Sequence, residues 1–251
     1  MTYCIIIPHY NHERQFLAFL PKILTVGLPC IIVDDGSSKE SLACIRDSVA
    51  KHENVTLVEH GHNRGKGAAV ISGIFMARAK GFSHALQIDA DGQHNVSDIQ
   101  RFIAVSESAP DTIVCGRPVF DDSVPKIRLY GRKITDFWVV LETLSRKVKD
   151  GLCGFRIYPL KKVEAVLDAY YLGKRMDFDT EILVKALWLG VDLEFVDTQV
   201  IYPEESVSHF NYVRDNLGLV SLHTRLMCGM VVRFPMIVYR LFKGNDNDRG
   251  D

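Results

Sequence analysis

His84-Ala85-Leu86-Gln87-Ile88-Asp89-Ala90-Asp91-Gly92-Gln93-His94 is the stretch whose reading decides the fold. A short apolar run of β character delivers two carboxylates to the point where a strand should stop, and Asp91-Gly92 turns the chain. Side chains two apart on an extended segment point to opposite faces. Once the backbone turns, Asp89 and Asp91 can approach one hard cation or one hydroxyl-rich ligand. Mg²⁺ and Mn²⁺ take oxygen ligands of this kind and commonly keep substrate phosphates in their shell. The same residues also make an ordinary strand-to-helix turn, with Asn95 or Ser97 capping the next helix. The rest of the chain has to decide between the two.

Upstream, Tyr3 to Pro8 and Cys30 to Val33 are continuous apolar runs of the kind buried in parallel sheets. Val55 to Val58 is a third strand and Thr112 to Cys115 a fifth. Between them lie helical patterns over Glu13 to Leu24, Leu42 to Ala50 (capped by Ser37 or Ser38), the stretch ending at Ala79, and Val96 to Ser106. This alternation predicts an α/β fold, a mostly parallel sheet with helices on both faces. Ligands of such sheets bind outside the carboxyl ends of the strands. Here those ends carry Tyr10-Asn11, Asp34-Asp35, Asp89-Asp91 and Gly116-Arg117, so polar groups from four strands converge on one rim. Asn63-Arg64-Gly65-Lys66-Gly67 is neither a Walker loop nor a GxGxxG fingerprint. Its small residues permit close helix packing, while Lys66 and Arg64 at a helix start suit a diphosphate.

Composition narrows the function. The chain has 251 residues, 47% of them hydrophobic, enough for one large core. A net charge of -1 argues against a nucleic-acid binder acting by bulk charge. The six cysteines form no CxxC pair, which points to buried reduced thiols rather than a zinc site. No signal peptide is expected before the first strand, and no uncharged run approaches the ~20 residues that span a bilayer.

After Arg117 the pattern changes. Asp121 to Pro125 reads as a loop and Lys126 to Lys149 as a long helix, with Lys126, Arg128, Arg132 and Lys133 clustered at its start. A turn from Asp150 leads into a strand reaching Tyr158. Met176-Asp177-Phe178-Asp179-Thr180-Glu181 introduces a helix over Ile182 to Leu189, its acids suiting the helix dipole. Leu193 to Tyr202 is a further strand.

These motifs resemble those of family 2 glycosyltransferases: Pro8-His9-Tyr10-Asn11, Val33-Asp34-Asp35-Gly36-Ser37, Asn63-Arg64-Gly65-Lys66-Gly67 and Asp89-Ala90-Asp91, in order. Gly116-Arg117, Asp150-Gly151-Leu152-Cys153-Gly154-Phe155-Arg156 and Asp177-Phe178-Asp179-Thr180-Glu181 are similar to the dolichyl- or polyprenyl-phosphate sugar transferase branch. Two departures fall on the acceptor side. The branch usually has Asp-Pro-Thr-Ser-Gly-Phe-Arg where this chain has Asp150 to Arg156, and the basic residue expected after Ser208 is His209. The resemblance implies a GT-A, Rossmann-like domain over 1–217 that transfers a sugar from a UDP- or GDP-sugar with inversion, to a lipid phosphate or another membrane-associated acceptor. It implies Asp91, with Asp89, as ligands of Mg²⁺ or Mn²⁺. It places Pro8, Tyr10, Asn11, Asp34, Asp35, Lys66 and Asp89 around the nucleotide sugar. A hydroxyl acceptor, as on a surface glycan or glycolipid, would need a general base, Asp179 first and Asp177 second. A phosphate acceptor would want Arg117, Arg132 and Arg156 instead. The rival classes are a nucleotidyltransferase, which would want a basic glycine-rich loop after the first strand, and a non-catalytic sugar-nucleotide-binding or scaffold protein.

Residues 218–243 carry a second signal. Arg225, Arg233, Arg240 and Lys243 fall within an arc of about 80° on an ideal helix, opposite Leu226, Met230, Phe234, Ile237 and Leu241. A basic amphipathic helix fits a peripheral anchor at the cytoplasmic face of a membrane; the alternatives are a helix packed on the sheet and an oligomer interface. The polar tail 244–251 is expected to be disordered.

Overall fold

The computed structural model describes residues 1–120, 126–200 and 212–247. In chain order these form β1 (Tyr3–His9), α1 (Glu13–Leu24), β2 (Cys30–Asp34), α2 (Lys39–Val49), β3 (Val55–Glu59), α3 (Lys66–Ala79), β4 (His84–Gln87), α4 (Ile99–Ser108), β5 (Ile113–Val119), α5 (Lys126–Thr143), β6 (Arg156–Pro159), α6 (Leu160–Ala169), α7 (Phe178–Leu189), β7 (Leu193–Gln199) and α8 (Tyr212–Asn247). The expected loop 121–125, the end of the expected strand at Ile201-Tyr202, Ser208-His209 and the last four residues of the tail lie outside the described residues.

One seven-stranded sheet has the order β3-β2-β1-β4-β6-β5-β7. It is parallel except for β6, which runs antiparallel to both β4 and β5. Strand order reverses between β1 and β4, so a crevice opens beyond their carboxyl ends, where such sheets hold ligands. Asp89 and Asp91 follow β4 at that crevice.

Period-two alternation divides the core between the two faces of the sheet. Cys4 and Ile6 of β1 and Ile31 and Val33 of β2 pack with α3, α6, α7 and α8, whereas Ile5, Ile7, Cys30 and Ile32 pack with α1, α2 and α4. Helix α3 lies close on β1: a Cβ added at Gly73 would stand 2.5 Å from Ile6 Cγ2. Cys4, Cys30, Cys115 and Cys153 are buried free thiols, Cys44 is partly covered and Cys228 is exposed.

Several boundaries differ from expectation. Helix α5 stops at Thr143 instead of reaching Lys149, because Leu144 takes a left-handed φ of 52° and the chain folds back to bury Val148. The segment 96–98 is a single 3₁₀ turn, capped by Asn95 through Ser97 N–H, and α4 begins only at Ile99. Ser38, accepting from Ser41 N–H, is the cap of α2. Helix α7 starts at Phe178, four residues before the expected Ile182, because its first-turn acids are not solvated. Glu181 accepts a hydrogen bond from Gly173 N–H at 2.6 Å and pairs with Lys185, and both Asp179 and Glu181 are buried.

Helix α8 runs unbroken through the expected boundary at 217/218. Its Leu222, Leu226, Met230 and Ile237 join the core shared by α5 and α7. Three cations of the expected basic face meet partners on the domain itself, Arg225 while still half exposed. Arg225 pairs with Asp177 and Glu181, Arg233 lies over the rings of Tyr170 and Trp188, and Arg240 lies over Gly190. These cations dock the helix on its own domain. Phe234, expected on the buried side, is exposed. What α8 turns outward from Cys228 to Tyr239 is uncharged: Cys228, Val231, Val232 (77% exposed), Phe234, Pro235 and Tyr239. Tyr130, Ile134 and Phe137 form a similar exposed stripe on α5. Among the described residues, no helix is long and apolar enough to cross a membrane.

Candidate active site

The loop after β1 is tied to the loop after β2. Asn11, at φ 50°, donates its N–H to Ser37 Oγ at 3.0 Å and accepts from Ser38 N–H through Oδ1 at 2.8 Å. His9 Nε2 accepts from His12 N–H, so its Nδ1–H is the donor to Asp34 Oδ1 at 3.1 Å. Asp34 also accepts from Ser37 N–H and Oγ. Burial alone would raise the Asp34 carboxyl, but the hydrogen bonds from His9 and Ser37 outweigh it and hold it below the usual range.

Asp35 anchors the next crossing. It accepts from His60 Nδ1 at 2.7 Å, Arg64 N–H at 2.9 Å and Gly65 N–H at 2.7 Å, and it is 2% exposed. Both aspartates expected to touch the nucleotide are therefore buried and hold loops. Tyr10 is the exposed side chain of this group, with Asn11 beside it. The glycines at 65 and 67 serve close approach: Cβ atoms there would stand 2.3 Å from Lys174 O and 2.5 Å from Phe178 Cβ.

That packing aims Lys66, the first residue of α3, into the crevice. Its ammonium donates to Asp89 Oδ2 at 2.9 Å and to Asp179 Oδ2 at 2.8 Å, with the side chain only 17% exposed. Asp179 Oδ1 accepts from Gln87 Nε2 at 3.3 Å, and Gln87 Oε1 accepts from the Tyr158 hydroxyl at 2.9 Å. Gly154 forms the floor, since a Cβ there would be 2.7 Å from both Lys66 Nζ and Asp89 Oδ2. The expected general base thus lies one lysine away from the expected metal ligand. Asp177 does not share this cluster; it accepts from Arg175 N–H and pairs with Arg225.

The electrostatics separate the two carboxylates that follow β4. Burial would raise Asp89, but the Lys66 charge beside it holds it low. Asp91 is pushed up to about 6 by burial and by the Asp89 charge. Asp89 Oδ1 is buried without a hydrogen-bond partner among the described residues, and Asp91 Oδ1 accepts from Gln93 N–H at 3.0 Å. An orphaned carboxylate oxygen beside a second, electrostatically strained carboxylate fits a hard divalent cation. No group of three His, Cys, Asp or Glu gathers among the described residues, so the protein offers two carboxylates and leaves other positions to water and phosphate. His94, not assigned from sequence, packs its ring on Phe155 at 5.2 Å with Nδ1 buried and unpartnered, and burial holds it low.

The three arginines expected at a phosphate acceptor are not brought together. Arg156 is fully buried and donates to Asp179 O at 2.5 Å and Gly151 O at 3.1 Å. It is a brace under α7, not a surface for an acceptor. Arg132 pairs with Asp150, its guanidinium over the Phe120 ring. Arg117 pairs in bidentate fashion with Asp197 and faces a cleft of about 1050 Å³ on the outer edge of the sheet, lined also by Arg101, Lys147, Lys149 and Glu194. None of Lys66, Asp89 and Asp179 lines that cleft.

The model of the family described as glycosyl transferase family 2 matches residues 4–162. Dolichyl-phosphate beta-glucosyltransferase of Dictyostelium discoideum is 28% identical over 210 residues, covering 75% of this chain and 63% of that protein. The enzyme of the same name from Drosophila melanogaster is 29% identical over 205 residues, covering 72% of this chain and 61% of that protein. The chain therefore spans under two thirds of the length of these relatives. Among solved structures, glucosyl-3-phosphoglycerate synthase of Mycobacterium tuberculosis in complex with Mn²⁺ and UDP-glucose aligns with a TM-score of 0.64 at 15% identity, over 92% of this chain and 78% of that one. At that identity the likeness concerns the fold, the GT-A arrangement of a mostly parallel sheet.

Proposed function

The chain belongs to glycosyl transferase family 2, and we propose that it transfers a sugar from a UDP- or GDP-sugar to a polyprenyl-phosphate acceptor with inversion at the anomeric carbon. The observation that carries this is the sharing of Lys66 by Asp89 and Asp179 at the β1/β4 crevice, with Asp91 near enough for the Asp89 charge to raise it. Asp89 and Asp91 would hold Mg²⁺ or Mn²⁺, which when bound supplies Lewis-acid neutralisation of the diphosphate leaving group. Tyr10 and Asn11 wall the nucleotide, while Asp34 and Asp35 fix the loops that carry them. Gln87 and Arg156 hold Asp179 in place through Oδ1 and the main-chain oxygen respectively.

A phosphate acceptor arrives ionised and needs no proton removed. Asp179 then serves to position Lys66, and Arg132, which unlike Arg156 is not fully buried, contributes to the depression of His94. The names of the relatives support a lipid-phosphate acceptor, as do the exposed apolar side chains of α8 (Val231, Val232, Phe234) and α5 (Tyr130, Ile134, Phe137), which suit contact with a membrane surface.

The test is product formation from a panel of UDP- and GDP-sugars with polyprenyl phosphate in vesicles, with and without Mn²⁺. Transfer should require both the cation and Asp91. Undiminished transfer by Asp91→Ala would remove the metal assignment, and transfer only to hydroxyl acceptors would remove the lipid-phosphate assignment.

A further inference from the structure

Lys66 is one ammonium shared between two carboxylates with different expected tasks, Asp89 on the donor side and Asp179 on the acceptor side. The arrangement is built rather than incidental. The lysine is the first residue of α3, its backbone pinned between two glycines that press on the 173–178 segment, and Gly154 leaves the space that the ammonium and Asp89 occupy. In this state Asp89 Oδ2 is taken by Lys66 and only Oδ1 is unpartnered. A divalent cation reaching Oδ1 alone meets a fixed positive charge on the other oxygen of the same carboxylate. Like charges that close in a partly buried site repel strongly. A diphosphate supplies anionic oxygens able to sit between the two cations and relieve that repulsion.

We propose that Lys66 is an internal counter-ion that holds Asp89 against a lone divalent cation, so that metal and nucleoside diphosphate bind strongly only together. This rests on the assignment of the cation to Asp89 and Asp91. Metal without nucleotide binds weakly, and each ligand tightens the other by the same factor. Once the cation engages Asp89, Lys66 keeps Asp179 and gains the phosphate. Lys66 is thus a positioning residue for the metal site and a ligand for the diphosphate.

The experiment measures Mn²⁺ affinity of the full chain by electron paramagnetic resonance, alone and with UDP or GDP, for wild type, K66M, K66R and D91N. In wild type, nucleotide should tighten Mn²⁺ by about tenfold or more. K66M should bind Mn²⁺ alone about tenfold more tightly than wild type, and should lose most of the nucleotide-dependent gain. K66R, which keeps the charge, should behave as wild type. A lysine with only a structural role would not raise metal affinity on removal. K66M binding Mn²⁺ no more tightly than wild type overturns the inference. Should K66M fail to fold, wild type decides alone: equal Mn²⁺ affinity with and without either nucleotide overturns it. D91N separates the two layers. If D91N binds Mn²⁺ as wild type does, the metal assignment itself is wrong, whereas loss of binding in D91N with no gain in K66M removes only the role of Lys66.

Discussion

Replacing Asp35 by asparagine separates a scaffold from a ligand. The carboxylate accepts three hydrogen bonds, from His60 at 2.7 Å, Arg64 N–H at 2.9 Å and Gly65 N–H at 2.7 Å, and is closed to solvent. An asparagine keeping its oxygen toward His60 and Arg64 turns an NH₂ group onto the Gly65 N–H, donor against donor. The loss is one charge-assisted hydrogen bond, about 1.5–3 kcal/mol, plus an unsatisfied buried donor of about 1–3 kcal/mol. The sum, about 2.5–6 kcal/mol, is a large part of the stability of an ordinary domain. Urea unfolding followed by circular dichroism should show the midpoint falling by about 1 M or more, taking a slope near 3 kcal/mol per molar. A midpoint equal to that of wild type, with nucleotide affinity abolished, would refute the reasoning and return Asp35 to the nucleotide.

Gly154→Ala should damage the site and spare the fold, because the added methyl meets the movable ends of Lys66 and Asp89 at 2.7 Å. Transfer should fall by about tenfold or more, at about 1.4 kcal/mol per decade, while the melting temperature stays within a few degrees of wild type; a large drop in melting temperature with activity retained would contradict this. Asp136 is pushed up to about 6 by burial and by the Asp150 charge. Its folded value lies above its unfolded one, so the native state binds the extra proton. The group therefore costs stability fully above pH 6, and the cost disappears as pH falls to about 4. Asp136→Asn should stabilise by about 1–2 kcal/mol at pH 8, reduced by the group's partial exposure, and by nothing near pH 4. Urea midpoints at the two pH values check this, and an equal gain at both would exclude it.

The parallel half of the sheet was legible because β1 and β2 are buried almost throughout and show as apolar runs ending in polar turns, and β4 continues into Ile88 before its own turn. That topology put Asn11, Asp34-Asp35 and Asp89-Asp91 on one rim, whereas Lys66 was placed at the nucleotide sugar by the resemblance and Arg117 faces a different cleft. The structure adds what no run length encodes. Arg156 follows Gly154-Phe155 in a motif that resembles a binding loop, yet antiparallel β6 carries it between β4 and β5, where the guanidinium can only brace carbonyls. The stripe of arginines on α8 reads as a membrane face until Asp177, Glu181, Tyr170 and Trp188 are known to stand opposite it, and those partners are distant in sequence. Helix α5 ends early at Leu144, where neither glycine nor proline warns of a left-handed residue. Gln87 was the one available hint at the support of Asp179: an amide inside an apolar strand needs a buried partner.

The distribution of cysteines gives the protein a chemical handle. Burial pushes the thiols of Cys4, Cys30, Cys115 and Cys153 up to about 12, and alkylation proceeds through the thiolate. Those four are closed to maleimides at neutral pH, and Cys44 is partly covered. Cys228 remains, on the uncharged outward side of α8. An environment-sensitive fluorophore attached there, with no residue replaced, would sit at the surface whose surroundings matter most and report by its emission whether that surface leaves water when vesicles are added.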